Sequence, residues 1–414
     1  MMRYFFLFLL LPGLAYADYY VATDGSNSDP GTLAEPFLTI AQGSSVVTAG
    51  ETIYIRAGTY TERINPSTSG TSGNLITYQN YNDETVIIDA DALLQGVLLL
   101  DVSYIKIKGL QVKNSTHAGI HIHNHLDDPD TGSDYNVIEG NTISYCGTDG
   151  YSGIYIGGYY NQVINNTSIN NGDMVTPKDH GIYLMGNNNT ISGNHCSDNA
   201  RMGIRSEGED NVIRSNVLAD NGETGISIWS DSPLSADGFI IDHNLIIGHP
   251  EHGITINGDG TGTKPTNIEI YNNTIDSDSG ENGIRIINEA SNITLKNNVV
   301  LGTYSIALIG TDGTSVTGYV EDYNLFYGTG DFAYNNTPYS TYSAYQIASS
   351  QGANSFNETA DLDGNYKPNT GSVVIEAGVD VSLDYTGTAP TIGAYEYPIS
   401  GASFVGGASG VTIQ

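Results

Sequence analysis

A short strand pattern, Gly-Ile-x-Ile or a close variant, recurs along the middle of this chain with its glycines at Gly119, Gly153, Gly181, Gly203, Gly225, Gly253 and Gly283, and Gly96 before Val97 extends the series. The spacings are 34, 28, 22, 22, 28 and 30 residues. A second signal, Ile-x-x-Asn or a looser form of it, runs in register at Asn141, Asn166, Asn194, Asn216, Asn244, Asn273 and Asn298. Each unit therefore holds two or three short strands of period-two apolar residues, joined by Gly, Asn and Asp turns. A 22-residue unit cannot bury its own apolar face, so neighbours must stack. Units of short strands without a helical period stack as a parallel β-helix, with coils about 4.8 Å apart. The isoleucines fill the interior, and the turn asparagines are expected to hydrogen-bond from coil to coil. Longer units carry loops, which in solenoids lie on the binding face.

Composition supports this. There are 50 glycines, and 46 acidic against 14 basic residues give a net charge of -32. This excludes nucleic acid as a partner and requires a local basic island for any anionic ligand. The opening "MMRYFFLFLLLPGLAYA" has an early Arg3, an apolar run from Tyr4 to Leu14 and small residues at Ala15 and Ala17. It reads as an export signal over residues 1–17, shorter than the roughly 20 apolar residues a bilayer span needs. No later segment is apolar enough to span. The expected location is secreted, extracellular or periplasmic, as a monomer. The two cysteines, Cys146 and Cys196, do not make a disulfide scaffold. Cys196 falls at a core position and Cys146 at a turn, so no pairing between them is expected.

The expected fold is all-β: a single-stranded right-handed parallel β-helix with an N-terminal cap and a β-rich C-terminal end. Residues 18–86 form the cap and first coils, 87–327 the central helix, 328–400 the last coils and C-terminal cap, and 401–414 a flexible tail. On these strands the isoleucines point inward, so the residue between them points outward. That column reads His121, Tyr155, Tyr183, Arg205, Ser227, Thr255 and Arg285. Two residues before each glycine stand His117, Tyr151, Asp179, Arg201, Glu223, Glu251 and Glu281, and four residues after stand His123, Gly157, Met185, Glu207, Trp229, Asn257 and Ile287. Lys178, Arg201, Arg205 and Arg214 place four of the 14 basic residues within 37 positions. They are the expected basic island. His121, His123, Tyr155 and Trp229 are rings suited to stacking on sugars, and Asp179 and Glu207 are expected to contact substrate. Strict alternation from Ile182 turns His180 inward, and the mixture of residues in its column suggests a half-buried corner. The segment "HNHLDDPDTGSD" adds His125, Asp127, Asp128, Asp130 and Asp134, and its clustered carboxylates suit Ca2+ better than Zn2+. The segment "DLDGNY" near Asp361 reads as a loop.

The opening "YYVATDGSNSDPGTLAEPFLTI", the segment "GETIYIRAGTYTERI", the repeats and the closing "APTIGAYEY" resemble the right-handed parallel β-helix superfamily, which includes pectate lyases, alginate lyases and mannuronan C5-epimerases. The resemblance spans most of residues 18 to 397. "KDHGIYL" is similar to an active-site strand of the epimerases, but their Asp-Pro-His motif is absent, "DDPD" at Asp127 to Asp130 being its nearest text. The resemblance implies an acidic, uronate-containing polysaccharide as substrate, C5 proton abstraction, and elimination ahead of epimerisation. Such chemistry needs the uronate carboxylate neutralised so that enolate charge can develop. It also needs a base for the C5 proton and, in a lyase, an acid for the leaving O4. Arg201 and Arg205 are the candidate neutralisers, His180 or Lys178 the base, and Tyr183 the proton donor, activated by Arg205. Two alternatives stay open: a glycoside hydrolase with Asp179 and Glu207 as paired carboxylates, and a non-catalytic glycan-binding protein.

Overall fold

The computed structural model describes residues 18–123, 133–174, 178–230, 235–258, 263–311 and 316–397. The export signal (1–17), the tail (401–414), His125 and the candidate Ca2+ ligands Asp127, Asp128 and Asp130 lie outside them.

Three columns of short parallel strands build a β-solenoid. The first column runs from Asp18–Val21 through Val212–Arg214 to Val320–Asp322 as one sheet. The second includes Thr142–Ser144, Thr167–Ile169 and Val217–Ala219, and the third carries the Gly-Ile repeats. In the later coils the second and third columns fuse into continuous strands, Thr274–Ile286 and Val299–Thr311, which pair in parallel. The Gly-Ile register is uninterrupted: His121 pairs with Tyr155, then Tyr183, Arg205, Ser227, Thr255 and Arg285 in successive coils. The isoleucines on either side of this column are buried at 0% exposure from Ile120 to Ile286, which makes them one continuous apolar core.

The turn from the first to the second column explains the asparagine signal. One residue takes the left-handed conformation, as at Gly193 (φ 66°) and Ser215 (φ 54°), and the next is a buried asparagine. Its side-chain oxygen accepts the backbone N–H of the asparagine one coil earlier, as in Asn194 N to Asn216 Oδ1 at 2.9 Å and Asn216 N to Asn244 Oδ1 at 3.0 Å. The ladder runs from Asn141 through Asn166, Asn194, Asn216, Asn244, Asn273 and Asn298 to Asn324. Two shorter ladders accompany it: Asn136, Asn161, Asn189 and Asn211, and the turn expected to hold Cys146, where Asn171, Asn199 and Asn221 follow it. Cys146 and Cys196 are both free and buried.

Both open ends of the core are covered. The helix Ile40–Val46, N-capped by Thr39, turns Ile40 into the first coil. At the other end Leu325–Tyr334 and Thr337–Tyr339 form an antiparallel hairpin, and the helix Tyr342–Ser349 packs Tyr342 and Tyr345 against it. From Gln351 to Tyr397 the chain runs as turns along the second column, seating Ala360, Val374 and Ile392 on Val299 and Leu325. Among the described residues no helix is long and apolar enough to cross a membrane.

Under the C-terminal helix, Glu321 is 1% exposed and accepts hydrogen bonds from Ser355 Oγ, Asn324 Nδ2 and the Tyr342 hydroxyl. Burial outweighs these donors and pushes its pKa up to about 7. A raised carboxyl pKa means the folded state holds the proton more tightly than the unfolded chain does. The associated stability is therefore complete below the unfolded pKa near 4.5 and lost as pH rises through about 7. That interval corresponds to roughly 3 kcal/mol. Denaturant titration of the C-terminal cap between mildly acidic and mildly alkaline pH should show this fall, and Glu321→Gln should flatten it. A cap equally stable at both ends of that range would refute the assignment.

Candidate functional site

The third column presents a groove whose residues step from coil to coil. A file of rings and cations crosses it. The Lys178 ammonium lies 5.6 Å from the Tyr151 ring, Tyr151 lies 6.0 Å from Tyr155, and Tyr155 lies 5.3 Å edge-on from Tyr183. The Arg205 guanidinium then stands 5.4 Å from Tyr183 and 5.1 Å from Trp229. At the N-terminal end His117 stacks on Tyr151 at 4.4 Å, and His121 sits 4.7 Å from Tyr155 and 5.3 Å from His123. Thus Lys178, Tyr155, Tyr183, Arg205, Trp229, His121 and His123 are brought together as the sequence led us to expect.

Their exposure differs from that expectation. The outward column is covered by its neighbours: His121 is 7% exposed, Tyr183 4%, Ser227 0% and Thr255 6%. Alternation decides which side of a strand a residue takes, but neighbouring side chains decide whether water reaches it. Burial, reinforced by the nearby His123, His117 and Lys178, depresses the His121 pKa to about 3. Its ring is therefore neutral, with both nitrogens unpartnered. His121 is no open stacking platform. His180, expected at a half-buried corner, is wholly buried, with its ring edge-on to Tyr183 at 5.4 Å. Residues of its column are buried too, among them Ala118, Ser152, Thr224, His252 and Asn282. A base must reach its proton, so His180 is corrected to a supporting position. Lys178, partly exposed at the mouth, has no such obstacle.

Tyr183 requires the largest correction. Its hydroxyl donates to Glu207 Oε1 at 2.8 Å, and Arg205 Nη2 binds the same oxygen at 2.9 Å. Burial first, and then the Glu207 charge, hold the Tyr183 pKa well above the ordinary phenol range despite Arg205. The expected activation by Arg205 is overturned, because burial and the Glu207 carboxylate that the hydroxyl faces outweigh the cation. Tyr183 positions Glu207, which pins Arg205. The hydrogen bond to a charged partner contributes about 1.5–3 kcal/mol. Tyr183→Phe should lose stability of that order while turnover falls less than tenfold. A hundredfold loss of turnover with unchanged melting would restore Tyr183 as a proton donor.

The paired carboxylates fare no better as hydrolytic groups. Asp179 is wholly buried and Glu207 is 3% exposed, and Glu207 is bound by Arg205 and Tyr183. Neither presents a face to a glycosidic bond, which the hydrolase reading requires. The basic island is also smaller than expected. Arg214 lies on the first column and pairs with Asp242 at 2.9 Å, off the groove. Arg201 pairs with Glu223 at 2.5 Å. Glu223 and Glu251, whose carboxyls burial raises, continue the groove toward its C-terminal end with Glu281, a stripe that the column readings contained but charge counting hid. Arg205 keeps donor capacity: one of its five N–H groups meets Glu207, and the side chain stays partly exposed. Among the described residues no group of three or more His, Cys, Asp or Glu could hold a metal ion.

Pectate lyase L of Dickeya chrysanthemi is 25% identical over 414 aligned residues, covering 91% of this chain and 90% of that protein. Pectate lyase PEL9 of Emericella nidulans is 40% identical over 96 residues, but the match spans only 23% of each chain. The chain thus covers under a quarter of PEL9. The crystal structure of pectate lyase Pel9A superimposes with a TM-score of 0.63 at 19% identity, covering 93% of this chain and 98% of that one, which shows the shared fold. The sequence pattern described as the Pel9A-like right-handed β-helix region matches residues 19–299. That span is well over half of the chain, from the first strand of the solenoid to the fused strands beyond the groove, and the chain therefore belongs to the Pel9A-like right-handed β-helix family.

Proposed function

We infer that the chain is a secreted polysaccharide lyase acting on uronate-containing glycans, with the third-column groove as its active site. The observation that carries this reading is Arg205, a guanidinium that stays partly exposed while held between Tyr183 and Trp229 in the middle of the groove. The alignment with a pectate lyase over most of the chain supports the same chemistry.

In elimination the base removes the C5 proton, the electrons form the C4–C5 double bond, and the C4–O4 bond breaks with O4 taking a proton from solvent. The C5 proton is weakly acidic until the adjacent carboxylate is neutralised. Arg205 is placed to bind that carboxylate, with Glu207 and Tyr183 holding the guanidinium in position. Arg201, four residues before Arg205 on the same coil and paired with Glu223 of the next, binds a neighbouring sugar. Lys178 is the proposed base: in its neutral form the amine accepts the C5 proton, and its place over Tyr151 sets it at the edge of the groove. Tyr155, Trp229 and His123 supply the partly exposed rings against which sugar faces pack. The Ca2+ ligands expected at Asp127, Asp128 and Asp130 lie outside the described residues, among which no set fits the ion, and no step is assigned to it.

The test is to incubate the purified protein with a panel of uronate polymers and follow ultraviolet absorbance of the unsaturated product, reducing ends and C5 stereochemistry by proton NMR. Unsaturation together with new reducing ends supports elimination. New reducing ends alone mean hydrolysis, inverted C5 without cleavage means epimerisation, and binding with no product means a glycan-binding protein.

A further inference from the structure

A second cleft lies on a different face of the solenoid. Its floor is three outward residues of the second column in successive coils, Asp276, Leu301 and Tyr327, paired in register. Its wall is the segment that returns along that column, from Thr359 to Gly364, with Tyr366. The wall is anchored: Ala360 and Leu362 pack with Val299, Leu325 and Leu301, and the Tyr366 hydroxyl donates to Asp276 Oδ2 at 3.0 Å. Asp363 Oδ1 accepts the backbone N–H of Asn365 and of Lys367, which holds the turn rigid. The cleft is open to solvent along its length, and its volume of about 550 Å³ is the size of a small-ligand site.

We propose that this cleft binds a neutral saccharide and acts as a second glycan-binding site apart from the groove. Its chemistry selects that ligand. Tyr327 is 50% exposed, although it stands on a strand in the wall of the molecule, and offers an aromatic face beside the Leu301 side chain for the apolar face of a pyranose ring. Asp276, Asp361 and Asp363 supply carboxylate oxygens, which accept from sugar hydroxyls as charge-assisted hydrogen bonds. Among the described residues no Lys, Arg or His lines the cleft, so in a chain of net charge -32 it repels a uronate. The groove carries Arg201 and Arg205 and the cleft carries only acids: the two sites divide a mixed polysaccharide by charge. A neutral stretch held in the cleft keeps the chain on its polymer between turnovers in the groove.

The test uses the full chain with neutral galactohexaose and xylohexaose, and a hexameric uronate as the charged control, by calorimetric titration. At least one neutral hexaose is expected to bind, with Tyr327→Ala and Asp363→Asn each weakening it tenfold or more. Tyr327→Ala removes an exposed ring outside the groove, so melting temperature and turnover of the uronate polymer should stay unchanged. Absence of binding by both neutral sugars, equal binding by the Tyr327→Ala protein, or displacement of the neutral sugar from the cleft by the uronate would each overturn the proposal. These readouts are binding constants, so they stand even where no uronate polymer is cleaved.

Discussion

Lys178→Ala should lower turnover of a uronate polymer by about 100-fold to 10,000-fold, the span of general acid–base catalysis, with KM changed only a few-fold. Lys178 is partly exposed at the groove mouth, so removing its amine should leave folding intact. The contrast with Arg205 sharpens the expectation. Arg205→Ala removes the group that neutralises the substrate carboxylate and leaves the Glu207 carboxylate buried with only Tyr183 to bind it. It should therefore lose about 100-fold to 1,000-fold in turnover, the scale of a lost electrostatic stabiliser, and also destabilise the fold. Lys178→Arg preserves the charge but cannot give up a proton. If the lysine is the base, the arginine variant should be as inactive as the alanine variant. Recovery of most activity in Lys178→Arg would show that the residue binds substrate by charge alone and would remove it as the base.

The largest stability effect is expected at Asn216, in the middle of the long ladder. Its Oδ1 accepts Asn194 N and Nδ2 at 2.9 and 3.0 Å, and its Nδ2 donates to Ile191 O and Asn244 Oδ1 at 3.0 and 2.9 Å. The residue is 0% exposed, so water cannot replace these partners. Asn216→Ala strips two donors and two acceptors of this partner. Leaving a buried polar group unsatisfied costs about 1–3 kcal/mol, and several share the loss here, so roughly 3–5 kcal/mol should go in urea unfolding. Asn216→Asp retains the acceptors but places a carboxylate against Asn244 Oδ1, and should lose a comparable amount. Because each coil contacts only its neighbours, damage at one rung should open the adjacent coils first. Amide hydrogen exchange would localise it. A loss under about 1 kcal/mol for both variants would mean that the ladder follows the coil rather than holds it.

Much of this protein can be read from its text, and the reason is its periodicity. A repeat that cannot bury its face alone, with apolar residues alternating along short strands, has one economical solution. The register of His121, Tyr155, Tyr183, Arg205, Ser227, Thr255 and Arg285, the buried Asn ladder and the core isoleucines all follow from local pattern, because each depends on equivalent positions one coil away. The candidate groove was legible for the same reason, down to which side chains share its face.

What periodicity does not encode is what a side chain meets beyond its own column. His121 and Tyr183 point outward as the alternation requires, yet neighbouring rings and Glu207 bury them, and that burial turns a proposed acid into a positioning group. Alternation turned His180 inward, and its neighbours bury it wholly rather than by half. Arg214 lies close to Arg205 along the chain, but one strand further on, the chain has crossed to another face, where Asp242 neutralises it. The second cleft lies further still from sequence reasoning: Asp276, Leu301 and Tyr327 are ordinary outward positions until residues 359–366, distant in the chain, fold back over them. The sequence by itself determined the coil, its core and the side of each strand, because those are properties of near-identical neighbours. Solvent access, charge pairing and pocket closure were decided only by the tertiary structure, because they depend on contacts between unlike parts of the chain.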